Sequence, residues 1–249
     1  MTLQQFKLGQ QRMKYLVLGL MIIGASLTAT AQVFTPLPIP SMSMPGLGVH
    51  IPSPNVDDKS GKKIPAPLPS AAADPKSLMY TPSATRTRAN LANFATKTSA
   101  TDPAGGKQMA AMFASTDVIG QFGKALVPYG LRVDDVSHAY TVWWMNAWQA
   151  SKGINDDFDK ATALAVAAQA GRGLLSSPKF LAASEAQKQE LAESLLVQAA
   201  LIGSAQSTYA KDPKMLQQLA ASVKQGAKAS GIDLETMELT PQGFKAAGK

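Results

Sequence analysis

A chain of 249 residues that is 45 % hydrophobic but only 6 % aromatic draws much of its apolar content from alanine, so its few large side chains carry disproportionate weight in any core. The formal charge of +7 falls to +4, with 21 cations against 17 anions, once the acid-free residues 1–31 with Lys7, Arg12 and Lys14 are set aside. No Lys/Arg run interleaved with aromatics remains, which argues against nucleic acid as a partner, and the absence of cysteine excludes both disulfides and a lipid-anchored cysteine.

At the N-terminus, Lys14 precedes the apolar run from Tyr15 to Leu27, followed by Ala29-Thr30-Ala31-Gln32. A basic flank, a short apolar centre and an A-x-A exit form the three parts of a secretory signal peptide, and cleavage is expected after Ala31. About 13 residues fall short of the ~20 that span a bilayer, so no stable transmembrane anchor is expected after cleavage. Met13-Lys14 would itself make a normal opening of such a peptide. Export places the protein in the periplasm or outside the cell.

Eleven of the sixteen prolines lie between Pro36 and Pro82. Proline at that density removes amide donors and blocks helix, so residues 32–82 are expected to be a disordered Pro-rich tether. Met42 and Met44, with His50 beyond, offer soft ligands suited to Cu(I), but such residues in a tether are composition rather than a site, and neither a metal nor a cofactor is predicted.

From residue 83 onward, helix punctuation takes over. Thr81-Pro82 opens a helix marked by Leu91 and Phe94, and Asp102-Pro103 opens one carrying Met109, Met112 and Phe113. Ser115 or Thr116 caps a third helix, with Ile119, Phe122 and Leu126 on one face, stopped by Pro128 and Gly130. Asp134 or Asp135 starts a fourth that runs to about Gly153. Asn155, Asp156 and Asp157 suit the positive end of the next helix dipole, in a segment reaching Gly171 and Gly173. Ser184-Glu185-Ala186-Gln187 matches a capping box ahead of Leu191, Leu195, Ala199 and Ile202. Asp212-Pro213 starts the last strong helix, ending at Gly231, and residues 232–249 have no clear period. No alternating β-branched run appears. The fold expected for residues 83–249 is all-α, a single irregular helical bundle of six or seven helices behind the tether.

The segment Val133 to Trp148 holds all three tryptophans and one of the two histidines. At helical spacing, Val136, Tyr140, Trp143, Trp144 and Ala147 share a face, and Asp134 can meet His138 four residues on. A functional reading makes this an aromatic-lined cleft with Asp134, Asp135, His138 and Tyr140 as catalytic candidates and Trp143, Trp144 and Trp148 as a binding surface. The favoured reading makes the aromatics the bulky centre of an alanine-rich core, with the aspartates serving the helix start. Arg86 and Arg88 read as a solvated face.

The pattern Gly130-Leu131, Asp135, Ala139-Tyr140, Trp143-Trp144 and Ala147-Trp148 resembles a family of exported bacterial proteins described only as a domain of unknown function. Asn90-Leu91-Ala92-Asn93-Phe94 and Leu239-Thr240-Pro241-Gln242-Gly243-Phe244 are similar to that family's edges, so the likeness spans about residues 80–246. The resemblance implies a bacterial envelope or secreted protein with an Ala-rich helical domain, and brings no catalytic residues to transfer. The function expected is a non-enzymatic interaction module holding a protein or another envelope component. The alternative is a peptidoglycan-acting envelope hydrolase with an Asp/His/Tyr cleft on the tryptophan helix.

Overall fold

A computed structural model of the chain describes residues 74–248. The expected signal peptide, its cleavage point, Met42, Met44, His50 and most of the tether lie outside the described residues. Within them the fold is all-α, with one two-stranded sheet at the C-terminal end. The helices are α1 (Ala84–Ser99), α2 (Pro103–Ser115), α3 (Val118–Leu126), α4 (Val136–Lys152), α5 (Lys160–Leu175), α6 (Pro178–Leu181), α7 (Glu185–Thr208) and α8 (Pro213–Ala229). Eight rather than six or seven arises because the four-residue α6, which buries Phe180, is a separate turn opened by Ser177 and Pro178.

Side-chain caps set most of the helix starts. Ser83 accepts the amide of Arg86, Asp102 that of Gly105, and Asp212 that of Met215. Ser184 and Gln187 form the reciprocal capping box that their spacing predicts. Three starts differ from expectation. Thr81-Pro82 does not open α1, which begins at Ala84 with Ser83 as its cap. Asp117, not Ser115 or Thr116, caps α3 by accepting the Gly120 amide. Asp159, not Asn155, opens α5, because its carboxylate takes both the amide and the hydroxyl of Thr162. Asn155, Asp156 and Asp157 therefore lie in a loop before α5.

Helix α4 is the central pillar. It packs on α7, α5 and α8, and buries residues on all sides, from Val136 and Ala139 to Trp143, Met145 and Ala150. A helix buried all round belongs inside a bundle rather than on its surface. Helices α1 and α2 form a hairpin that leans on α7 through α1. Two glycines mark close approaches. A Cβ at Gly106 would fall 1.9 Å from Ser99 Oγ at the α1–α2 contact, and one at Gly171 would fall 3.1 Å from Leu78 Cδ1.

That second contact shows where packing begins. Leu78 and Tyr80 are buried, Tyr80 donates its amide to Asp134 O and its hydroxyl to Val133 O, and Met79 bridges to Asp135. Residues 74–82, assigned to the tether by proline count, thus form a strap on the start of α4, because a few apolar side chains between the prolines find a seat there.

The last segment also differs from expectation. Strands β1 (Met237–Thr240) and β2 (Gly243–Ala246) pair antiparallel, Met237 opposite Ala246, around a turn where Gly243 takes φ +102°, a conformation that glycine adopts without strain. Gln169 on α5 clamps β2, donating to Phe244 O at 2.9 Å and accepting the Phe244 amide at 2.9 Å.

Candidate functional site at the tryptophan helix

The start of α4 gathers three of the four candidate catalytic residues, and each is held by its neighbours. Asp135 caps the helix, one oxygen accepting the Ser137 amide at 2.8 Å and the Ser137 hydroxyl at 2.6 Å. Asp134 does not reach His138. Arg132 grips its two oxygens at 2.6 and 2.5 Å, and that hydrogen-bonded pairing holds the Asp134 carboxyl below its ordinary range. His138 instead uses Nδ1 to accept the Arg132 amide at 3.1 Å. Burial, opposed in part by Asp135, lowers its pKa from the ordinary histidine value, which suits an imidazole acting as an acceptor.

Tyr140 stands apart from this group. It is buried in the core with no partner for its hydroxyl, and burial pushes its pKa well above the usual phenol. The candidate Asp/His/Tyr cleft is therefore not assembled: Tyr140 points into packing, and the two aspartates and His138 Nδ1 fix the loop before α4.

The tryptophans form one aromatic stack rather than an open wall. Tyr140 meets Trp143 and Trp144 edge-on at 5.4 and 5.9 Å, and Trp144 stacks on Phe244 at 4.4 Å. Trp144 donates to Met237 Sδ at 3.2 Å and Trp148 to Met237 O at 3.0 Å. Trp143 and Trp144 are buried and Trp148 half-buried. Each sealed indole contributes on the order of 4 kcal/mol of transfer free energy.

A second polar cluster, unforeseen from sequence, joins α1 to α7. Glu193 is only 1 % exposed and accepts from Thr87 Oγ1 at 2.6 Å, Asn90 Nδ2 at 2.6 Å and Gln189 Nε2 at 2.9 Å. Arg86, read as part of a solvated face, binds Gln189 Oε1 at 2.7 Å and the Thr81 carbonyl at 2.5 Å. Arg88 reaches only Thr85, at 3.3 Å. All four acceptors and donors on Glu193 and Gln189 are engaged, so the cluster is a clasp.

Among the described residues no group of three or more His, Asp or Glu side chains could hold a metal ion, and no helix is long and apolar enough to cross a membrane. Comparison with known proteins finds no match among curated proteins and none among solved structures. Residues 52–247 match a family of unknown function, and so, with its tryptophan pillar, its strap and its C-terminal hairpin inside the matched range, the chain belongs to the Family of unknown function (DUF6683).

Proposed function

We propose that this protein is an exported, non-enzymatic binding module of the bacterial envelope, with the proline-rich segment acting as a spacer ahead of the helical body. The observation that carries the binding reading over a hydrolytic one is the engagement of the Asp134 and Asp135 carboxylates and His138 Nδ1 in bonds that hold the loop and first turn at the start of α4. A general acid or base must be able to reach a substrate proton, and here Asp134 is spent on the Arg132 guanidinium while Asp135 and His138 Nδ1 accept neighbouring backbone amides. Export rests on the basic, apolar and A-x-A sequence from Lys14 to Ala31.

The test is expression of the full chain in a bacterium, followed by fractionation and intact-mass measurement. A product beginning at Gln32 outside the cytoplasm is expected; a cytoplasmic chain retaining residues 1–31 overturns the export reading. Hydrolysis of purified peptidoglycan by the processed protein, lost in His138→Ala, would overturn the binding reading.

A further inference from the structure

We propose that the cleft between α3, α4, α7 and the loop before α5 binds the primary ammonium group at the end of an alkyl chain. The cleft has a volume of about 30 Å³. One water-sized group needs roughly 10–15 Å³ by the same measure, so the space takes an ammonium head and little more.

The polar lining selects for a donor. Asn146 commits its Nδ2 to Val142 O at 2.7 Å, Gln149 its Nε2 to Asp156 O at 2.8 Å, and Ser207 its hydroxyl to Gly203 O at 3.0 Å. Anchoring the nitrogens at carbonyls fixes the amide orientation and leaves oxygen as the free end of each side chain. Gln149 is only 2 % exposed, and its oxygen makes no hydrogen bond among the described residues. Asp157 lines the same cleft, and its Oδ1 is buried without a donor. A buried acceptor left unpaired is costly, and neither Asp156 nor Asp157 takes part in an ion pair among the described residues. A buried carboxylate oxygen of Asp157 and the side-chain oxygens of Asn146, Gln149 and Ser207 therefore line one cleft, with the exposed Asp156 beside it and no cation paired to either acid among the described residues.

Alkylammonium fits this chemistry better than its rivals. It brings three donors and no acceptor, whereas a carboxylate or phosphate would meet the Asp157 carboxylate, with the exposed Asn155 the one lining side-chain amide not committed to a carbonyl. Guanidinium is planar and wider than the space. A bare divalent ion takes six or more oxygens, but Phe122, Val142 and Phe158 supply the remaining walls. Those walls suit methylenes, and aromatic faces attract a cation. The ligand is a small aliphatic amine or a lysine side chain. The proposal rests on the binding reading above and is independent of export.

The experiment is a titration of the purified chain, followed by NMR of the side-chain amides of Asn146 and Gln149, with n-butylammonium and with an N-acetylated, C-amidated lysine. Saturable shifts with either amine at concentrations on the order of millimolar, as befits so few atoms, and none with 1-butanol, support the site. Response to butylammonium alone assigns a small amine, and response to the lysine derivative assigns a protein side chain. Asp157→Asn should weaken binding at least tenfold, and Ser207→Leu, at a half-exposed position, should close the cleft. If one variant fails to fold, the other still reads the site. Absence of saturation with both amines, an equal response to potassium chloride, or binding unchanged in a folded variant overturns the proposal. Because the titration is done in solution on purified chain, its failure leaves the export test untouched.

Discussion

Replacing Glu193 by alanine should release α1 from α7. The carboxylate is sealed, accepts three hydrogen bonds of 2.6, 2.6 and 2.9 Å, and all three donors are neutral. Hydrogen bonds to a charged group contribute about 1.5–3 kcal/mol each when donor and acceptor stay dry. Thr87 and Asn90 are half-buried, so water recovers part of the loss, and a net cost of roughly 3–4 kcal/mol follows. For a domain of this size each kcal/mol moves the melting temperature by about 2–4 °C, so a fall near 10 °C is expected. Glu193→Gln keeps the shape and one acceptor oxygen, and should cost about 1 kcal/mol. The control is Glu190→Ala. Its partner Lys97 lies 3.4 Å away with both side chains largely exposed, so removal should change stability by less than about 0.5 kcal/mol. Urea unfolding followed by circular dichroism gives the magnitudes. Amide exchange gives the location: in Glu193→Ala, α1 should lose protection before α4. A cost for Glu193→Ala no larger than for Glu190→Ala, or uniform loss of protection, would refute the clasp.

Three further outcomes are expected. Gly106→Ala puts a Cβ within 2.7 Å of the Ser99 backbone, whereas Gly123→Ala on α3 meets nothing within 4 Å; the first should destabilise by about 1–3 kcal/mol and the second should stabilise by up to about 1 kcal/mol, compared by thermal unfolding. Gln169→Ala strips both bonds from Phe244, costing about 2 kcal/mol, and should red-shift tryptophan emission as Phe244 leaves Trp144 and Trp148. His138 has a folded pKa lowered by burial from 6.5, so the unfolded chain binds the extra proton first on acidification. Its contribution to stability is complete above the unfolded value and is lost as pH falls through the lowered one. Urea midpoints from pH 8 to 5 should decline in the wild type and decline less in His138→Asn, where an amide oxygen can still accept the Arg132 amide; parallel declines would remove His138 as the cause.

The helix order was legible wherever a cap carried a local signature. Ser184 with Gln187, Asp102 with Pro103 and Asp212 with Pro213 announce their helices because capping is decided within four residues. What failed was whatever depends on distant partners. Residues 237–246 show no alternation because each strand has only four residues, and their pairing is fixed by Gln169 and Trp148 from other elements. Nothing local to Glu193 marks it as interior; α1 packing on α7, with Thr87 and Asn90 donating to its carboxylate, is what buries it. The tryptophan segment was read as one-faced, yet α4 is enclosed on every side, since the sum of its neighbours is not encoded in its own period. At the candidate site, the i to i+4 spacing of Asp134 and His138 was real, but Arg132, two residues away from Asp134, competes for the carboxylate with a bidentate grip.

The use of aspartate ties these observations together. Ten lie among the described residues, and seven of them (Asp74, Asp102, Asp117, Asp135, Asp159, Asp212 and Asp233) cap the start of a helix or 3-10 turn. An alanine-rich bundle without disulfides gains little from each side chain it buries, so pinning every helix end with a charged acceptor is a recurrent source of stability. An eighth, Asp134, is neutralised by Arg132. Reading Asp156 and Asp157 as one more helix start was therefore consistent with the habit of the chain, and Asp159 taking that role is what leaves them over. They are the two aspartates with neither an amide to cap nor a cation beside them among the described residues, and they sit at a cleft where Asn146 and Gln149 have committed their nitrogens to carbonyls. Where every other acid among the described residues has a structural task, an uncompensated pair with one carboxylate oxygen buried and without a donor is the place where a positively charged group from outside the chain would complete the pattern.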